Sequence, residues 1–417
     1  MKAVTGEERV SSPENDLPAN PQNKAIDQRL TICFPLAGDS VGGSHVSLLG
    51  LLGQLDPSKF QIIIILEVPD GRIAKMFEDY TRMADPVAAR QLFAPGERFG
   101  LAKFARTFAG ILPRARFLRK LGADIVHTND GRTHASWAIP ARLGGAKLVW
   151  HHRGDPGALG LRLAAPLLAN KVLTVSSFAL PRGGFWSAAH KAEVVHSPFD
   201  TSLTVDRDEA RRAMIHETGC SNDTLIVGYF GSFVPRKRPL LFVDIMVRLQ
   251  QALDRPVLGV MFGEAKHADM DKALREHIVA QNAENIVRIM GYHSPGHFWI
   301  AACDQLCVPA VNEPFGRTLI EAMLVGTPVV AARSGGNIEA LENGLGLLAP
   351  HDDAPALAES CANLANDEAF SADLAKRAMV DARHRFGIER HVEKVTGIYA
   401  GLAERNTDGC AVDESRP

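Results

Sequence analysis

Short apolar runs of strand length alternate with longer stretches of helical periodicity along most of this chain, and that alternation is what most limits its fold. The runs are Leu30 to Leu36, Gln61 to Glu67, Asp124 to His127, Lys147 to Trp150 and Lys171 to Val175. The rhythm restarts at Leu225 to Phe230 and continues through Val257 to Phe262, Ile286 to Met290, Gln305 to Pro309 and Pro328 to Ala332. Continuous apolar strands separated by helices imply parallel sheets covered on both faces. Two such series predict an α/β chain of two doubly wound, Rossmann-like domains. With about 150 residues per domain, 417 residues suffice for both. The expected limits are 29–200 for the first domain and 201–385 for the second, joined between about Pro198 and Asp208, with tails at 1–28 and 406–417. A last helical pattern over 386–405 carries Phe386, Val392, Val395, Ile398 and Tyr399.

Composition excludes several classes. A net charge of -2 does not supply the many cations that phosphate-backbone binding needs, so nucleic acid is not an expected partner. The six cysteines, at 33, 220, 303, 307, 361 and 410, form no C-x-x-C pair, which argues against a zinc knuckle or a disulfide framework and suits a reducing cytoplasm. The polar segment from Met1 to about Gln28 lacks the apolar core of a signal peptide and reads as a disordered tail. No run approaches the 18 or so apolar residues of a membrane span.

In open parallel sheets ligands bind beyond the carboxyl ends of the strands, so those loops are where chemistry is expected. The richest is Asn312-Glu313-Pro314-Phe315-Gly316-Arg317-Thr318-Leu319-Ile320-Glu321, followed by Ser334-Gly335-Gly336. A helix starting near Arg317 or Thr318 would aim its free backbone N–H groups at an anion. Glu321, in the first turns, leans back toward the same spot. Two solvated glutamates flanking a capped helix are the bland alternative. A second loop, Gly231-Ser232-Phe233-Val234-Pro235-Arg236-Lys237-Arg238, crowds three cations at a strand-to-helix junction. A diphosphate would neutralise them; an exposed basic turn is the alternative.

Together, Glu313-x7-Glu321 with Pro314-Phe315-Gly316 and Gly335-Gly336-x-x-Glu339 resembles the signature of retaining glycosyltransferases of family 4, which have the GT-B fold. The resemblance implies a sugar-side role for Glu313, a ribose role for Glu321, and phosphate contacts from Phe315, Gly316 and Thr318, with Arg317 and Leu319 in the same donor-binding segment. It also implies that Lys237 holds the diphosphate. Where the family has a second phosphate-binding arginine this chain has Ser232, and Arg238 stands where the family has glycine. Arg236 or Arg238 is the expected replacement cation. By family position, His151 would lie near the donor sugar, making Glu313, His151 and Lys237 the expected catalytic set. Gly263, Gly291 and Tyr292 would wrap the nucleotide, and Gly42 and Gly43 would face the cleft. The last helix would cross back to the first domain.

The remaining loops are weaker signals. Gly42-Gly43-Ser44-His45 opens a helical pattern and is either a close-approach loop or a tight turn. His151-His152-Arg153 ends an extended run, so at most one histidine faces the cleft, and Arg153 could meet an acceptor or a phosphate. Asn129-Asp130 lines the acceptor side or forms an Asx turn. Asp206-Arg207-Asp208 reads as a helix cap, and no metal is expected. Residues 103–120 hold six cations and no acid, interleaved with apolar residues, as a face for an anionic membrane or as a solvated helix pair broken at Pro113.

The expected activity is therefore retaining transfer of a sugar from a nucleotide-diphosphate donor to a hydroxyl on a glycan or lipid-linked acceptor. The setting would be polysaccharide or glycolipid assembly in the cytoplasm or at the inner membrane face, with no cofactor. The rivals are another GT-B enzyme, such as a nucleotide-sugar epimerase or a phosphorylase, and a nucleotide-sugar-binding protein without turnover.

Overall fold

The computed structural model describes residues 29–87 and 108–407. Two parallel sheets dominate it. The first contains β1 (Leu30–Leu36), β2 (Phe60–Leu66), β3 (Thr81–Ala84), β4 (Ile125–Thr128), β5 (Lys147–His152), β6 (Lys171–Thr174) and β7 (Ala192–Val194), in the order β3-β2-β1-β4-β5-β6-β7. The second contains β8 (Leu225–Phe230), β9 (Val257–Phe262), β10 (Val287–Gly291), β11 (Gln305–Val308), β12 (Val329–Ala332) and β13 (Leu347–Ala349), in the order β10-β9-β8-β11-β12-β13.

Each sheet is buried on both faces. Ile32, Ile64 and Val149 pack toward one side of the first sheet and Cys33, Ile63 and Leu148 toward the other, which is why its inner strands read as unbroken apolar runs. The strand order reverses between β1 and β4 in the first sheet and between β8 and β11 in the second. Crevices open at such reversals. The loops that follow these four strands are the ones singled out above: Gly38 to Gly43, Asn129-Asp130, Gly231 to Lys237 and Ala310 to Gly316.

The helix Ile388–Thr407 returns to the first domain, burying Val395, Tyr399 and Leu402 against Phe34, Leu48 and Ile64. Phe386 is not part of that helix. It caps the preceding helix, Glu368–Arg385, and packs into the core of the second domain, while its carbonyl accepts from the Phe199 amide at 3.0 Å. Asp206 caps the helix Arg207–Thr218, accepting from the Asp208 and Glu209 amides at 3.0 Å each.

In the basic stretch, residues 103–107 lie outside the described residues. Ile111–Leu121 is one helix that runs through Pro113 in its first turn, where a missing N–H costs no intrahelical bond. Arg114 points inward to a buried ion pair with Asp85 at 2.7 Å, and Arg119 donates to the Leu143 carbonyl at 2.8 Å. No helix among the described residues is long and apolar enough to cross a membrane.

Candidate active site

The helix Arg317–Leu324 packs Leu319, Ile320, Ala322 and Met323 into the second core and leaves its N-terminus at the cleft. Its cap, Gly316, has φ 76° and ψ 60°, a left-handed conformation that a β-carbon would strain. The Gly335-Gly336 pair supports this loop from behind. The Gly336 amide donates to the Glu313 carbonyl at 2.7 Å, and a β-carbon at Gly335 would sit 2.6 Å from that same oxygen.

The loop folds Glu313 inward. Its Oε2 accepts from Arg236 Nη1 at 2.5 Å and lies 3.0 Å from Lys237 Nζ. Both cations stand on the 3-10 turn Pro235–Lys237, and the Arg236 carbonyl takes the Val311 amide at 2.9 Å, tying the two loops together. Burial pushes the Glu313 carboxyl up, but the Lys237 ammonium and Arg236 guanidinium more than offset it and hold the group below the usual carboxylate range. Two cations on one carboxylate leave a net positive charge beside the helix terminus.

Arg236 and Arg238 part company here. Arg238 adopts φ 55° and turns outward to an exposed pair with Asp352, at 2.6 and 3.1 Å. Arg236, Lys237, Glu313, Phe315, Gly316, Arg317 and Thr318 line the interdomain cleft, a cavity of about 960 Å³; Arg238 and Ser232 do not. Gly263 follows β9, and Gly291 ends β10 just before Tyr292, at the sheet's outer end, where the Gly263 amide donates to the Gly291 carbonyl at 2.8 Å and Tyr292 is exposed. Leu319 is fully buried in the core, so only its backbone can serve a ligand.

Arg317 and Glu321 form an i, i+4 pair at 3.5 Å. Burial pushes the Glu321 carboxyl up, opposed by Arg317. Arg317 spans the cleft. Its guanidinium crosses to the first domain, donating to Ser47 Oγ at 2.9 Å and the Pro198 carbonyl at 3.3 Å and stacking 4.2 Å over the Phe199 ring. A β-carbon at Gly43 would come within 2.7 Å of Arg317 Cδ, so glycine there lets the arginine close the gap. Gly42 caps the helix Gly43–Leu52, and its amide donates to His45 Nδ1 at 3.2 Å. Burial lowers the His45 imidazole.

Across the cleft stands Arg153. It donates to Ser197 Oγ at 3.1 Å and, more distantly, to Asn129 Oδ1 at 3.4 Å, while its buried Nε has no partner. Burial, with Arg317 nearby, pulls it down to about 9, and no carboxylate among the described residues pairs with it. Asn129 Nδ2 is likewise buried and unpartnered. Asp130 caps the next helix, accepting from the Arg132 and Thr133 amides at 2.8 and 3.0 Å.

The histidine pair is placed the other way round from the expectation. β5 extends through His152, and strand alternation puts His152 with Trp150 on the cleft side. His151 shares the opposite face with Val149. It is fully buried, 3.1 Å from His127 Nε2, whose Nδ1 lies 2.6 Å from the Tyr399 hydroxyl. Burial drives both imidazoles well below their usual range. His151 Nδ1 lies 3.3 Å from Arg153 Nη2, so it reaches the cleft only through that arginine.

One interdomain contact carried little signal in the sequence. Glu339 accepts from the Ser177 amide at 2.6 Å and meets His196 Nε2 at 2.7 Å, and His196 stacks on Phe315 with centroids 5.6 Å apart. Glu339 ends the Gly335-Gly336-x-x-Glu339 pattern, but nothing local marked His196 or Ser177. Among the described residues no cluster of His, Cys, Asp and Glu is placed to hold a metal ion.

Residues 211–381 match the family model described as glycosyl transferases group 1. The chain is a glycosyltransferase that is similar, over this stretch, to group 1. Curated relatives of this glycosyltransferase include a D-inositol 3-phosphate glycosyltransferase of Kribbella flavida, 28% identical over 332 residues, covering 72% of this chain and 76% of that protein. Another is the lipopolysaccharide core biosynthesis mannosyltransferase LpsB of Rhizobium meliloti, 29% identical over 203 residues, covering 47% of this chain and 56% of that one. Among solved structures, Anabaena HepE in complex with UDP and glucose superposes with TM-score 0.75 at 21% identity, covering 89% of this chain and all of that one. The catalytic domain of Arabidopsis thaliana starch synthase IV, bound to ADP and acarbose, gives TM-score 0.68 at 16% identity, covering 90% and 99%. The two sheets with their facing cleft are a GT-B fold.

Proposed function

We propose that this glycosyltransferase is a retaining enzyme of family 4. It moves a sugar from a nucleotide-diphosphate donor to a hydroxyl of a glycan or lipid-linked acceptor, in polysaccharide or glycolipid assembly on the cytoplasmic side. The observation that carries this reading is the Arg236–Glu313–Lys237 cluster beside the Gly316-capped helix terminus, open to a cleft whose far wall holds Arg153, which meets no carboxylate among the described residues. The names of the relatives and the nucleotides bound by the solved neighbours support it.

The barrier to transfer lies in expelling a diphosphate while positive charge grows at the anomeric carbon. Lys237, Arg236 and the free amides at Gly316 to Thr318 stabilise the leaving group, each preorganised donor contributing roughly 3 kcal/mol. They do so without a metal ion. Glu313 orients the sugar through the same cations, and Glu321, held by Arg317, takes the ribose hydroxyls. The departing phosphate oxygen removes the acceptor proton on the same face of the sugar, which preserves its configuration. Arg153 and Asn129 hold the acceptor, with His151 positioning Arg153. Closure across Arg317 and Glu339 excludes water and suppresses hydrolysis.

Mass-spectrometric screening of nucleotide sugars tests this. Release of nucleoside diphosphate with one donor, abolished by Lys237→Ala, supports it. Ser232, in place of a cation, motivates the second reading of a binding protein: saturable donor binding with no release would favour that. Interconversion of the sugar, or phosphate-dependent cleavage, would point instead to an epimerase or a phosphorylase.

A further inference from the structure

One face beside the cleft is unusually apolar for solvent. In the segment that follows β5, a π-turn over Gly160–Ala164 and a short helix over Ala165–Leu168 bury Leu161 and Ala165 but leave Leu159, Leu163 and Leu167 exposed at 70%, 61% and 63%. Their spacing of four puts them on one side. The loop at 181–187 adds Phe185, fully exposed, and Trp186, 54% exposed. The two segments meet in a groove of about 510 Å³ that holds Leu163, Trp186, Arg162, Arg182 and a single acid, Asp155. Neither arginine is in an ion pair with a carboxylate among the described residues.

We propose that this face docks on an anionic lipid surface, and that an acceptor anchored there reaches the cleft along the apolar wall of Leu159, Leu161 and Leu168. That wall is continuous with the face, because these residues line the catalytic cavity on their inner side. Exposed aromatic and aliphatic side chains beside two arginines and one acid match the boundary between headgroups and acyl chains. The anchored acceptor rests on the proposed glycosyl transfer; the docking does not. None of its residues falls within 103–120.

Flotation of the full chain with vesicles of phosphatidylcholine, with and without phosphatidylglycerol, reads the docking directly. The wild type floats with the anionic vesicles. The variants Leu163→Ser/Leu167→Ser and Phe185→Ser/Trp186→Ser each lower the bound fraction about tenfold or more. Acyl-chain-brominated vesicles quench Trp186, which is exposed, whereas Trp137 and Trp150 are buried and Trp299 packs on the core of the second domain, and the quenching vanishes in Trp186→Phe. Absence of flotation, flotation and quenching unchanged by the variants, or a wild-type dimer in sedimentation that Phe185→Ser dissociates would each overturn the proposal. Nucleotide-sugar turnover in lipid-free solution, unchanged in the variants, verifies folding. If the wild type floats but turns over no nucleotide sugar, the transfer reading fails and the docking stands.

Discussion

The Arg236 guanidinium donates to Glu313 at 2.5 Å, while the Lys237 ammonium reaches the same carboxylate oxygen at 3.0 Å. Glu313 thus holds two cations in place at the cleft. Glu313→Gln removes the charge that orders them without leaving a void. Turnover should fall about 100-fold, roughly the loss of one preorganised electrostatic group. Measured kcat within threefold of wild type would remove Glu313 from the reaction.

Arg236 and Arg238 make opposite predictions. Arg236→Ala should slow transfer about 10- to 100-fold, and adding Ser232→Arg should restore part of it, because the leaving diphosphate needs nearby charge more than any one residue. Arg238→Ala should leave the rate unchanged, since its guanidinium is spent on Asp352 at the surface. Steady-state rates of the three variants decide between them.

Much of this was legible in the sequence, and the failures share a cause. Inner strands, buried on both faces, announce themselves as apolar runs. Of the four edge strands β10 shows such a run, but β3, β7 and β13, only three or four residues long, do not; β3 is Thr-Arg-Met-Ala and mostly exposed. The sequence pattern placed Glu313, Lys237 and the helix start at Arg317 on one loop system. It could not tell His151 from His152, because the strand's facing depends on which helix covers which side. Nor could it foresee that Arg317 would cross to Ser47, or that Glu339 would meet His196, since those partners are 270 and 143 residues away.

Glu321→Ala should weaken nucleotide-sugar binding by about 1 to 3 kcal/mol, as the ribose loses a charged acceptor and Arg317 loses its partner. Calorimetric affinity equal to wild type would reassign Glu321 to holding Arg317 alone.

In the proposed mechanism Arg236, Lys237 and the helix terminus supply the charge that a divalent ion supplies elsewhere, so activity should survive EDTA. A strict requirement for added Mg²⁺ or Mn²⁺ would contradict the assignment of those cations to the diphosphate.

Buried histidines should lower stability in acid. His391 is lowered from 6.5 to about 3 by burial, and His127 and His151 are also driven down, so the folded state keeps all three neutral while the unfolded chain protonates them. Their contribution is intact above the unfolded value near 6.5 and is lost as pH falls below it. Each should remove up to about 1.4 kcal/mol per pH unit until its folded value is reached. Urea midpoints between pH 7 and pH 5 should therefore decline steeply, and His391→Gln should flatten the decline.

The most direct test of the central claim is proton NMR of the product formed from an α-linked nucleotide sugar, with the wild type and Lys237→Ala compared under identical conditions. With a gluco-configured donor, same-face transfer gives a small anomeric coupling, marking an α-linked product, that appears with the wild type and not with Lys237→Ala. A β-linked product, or equal product from both proteins, would contradict it.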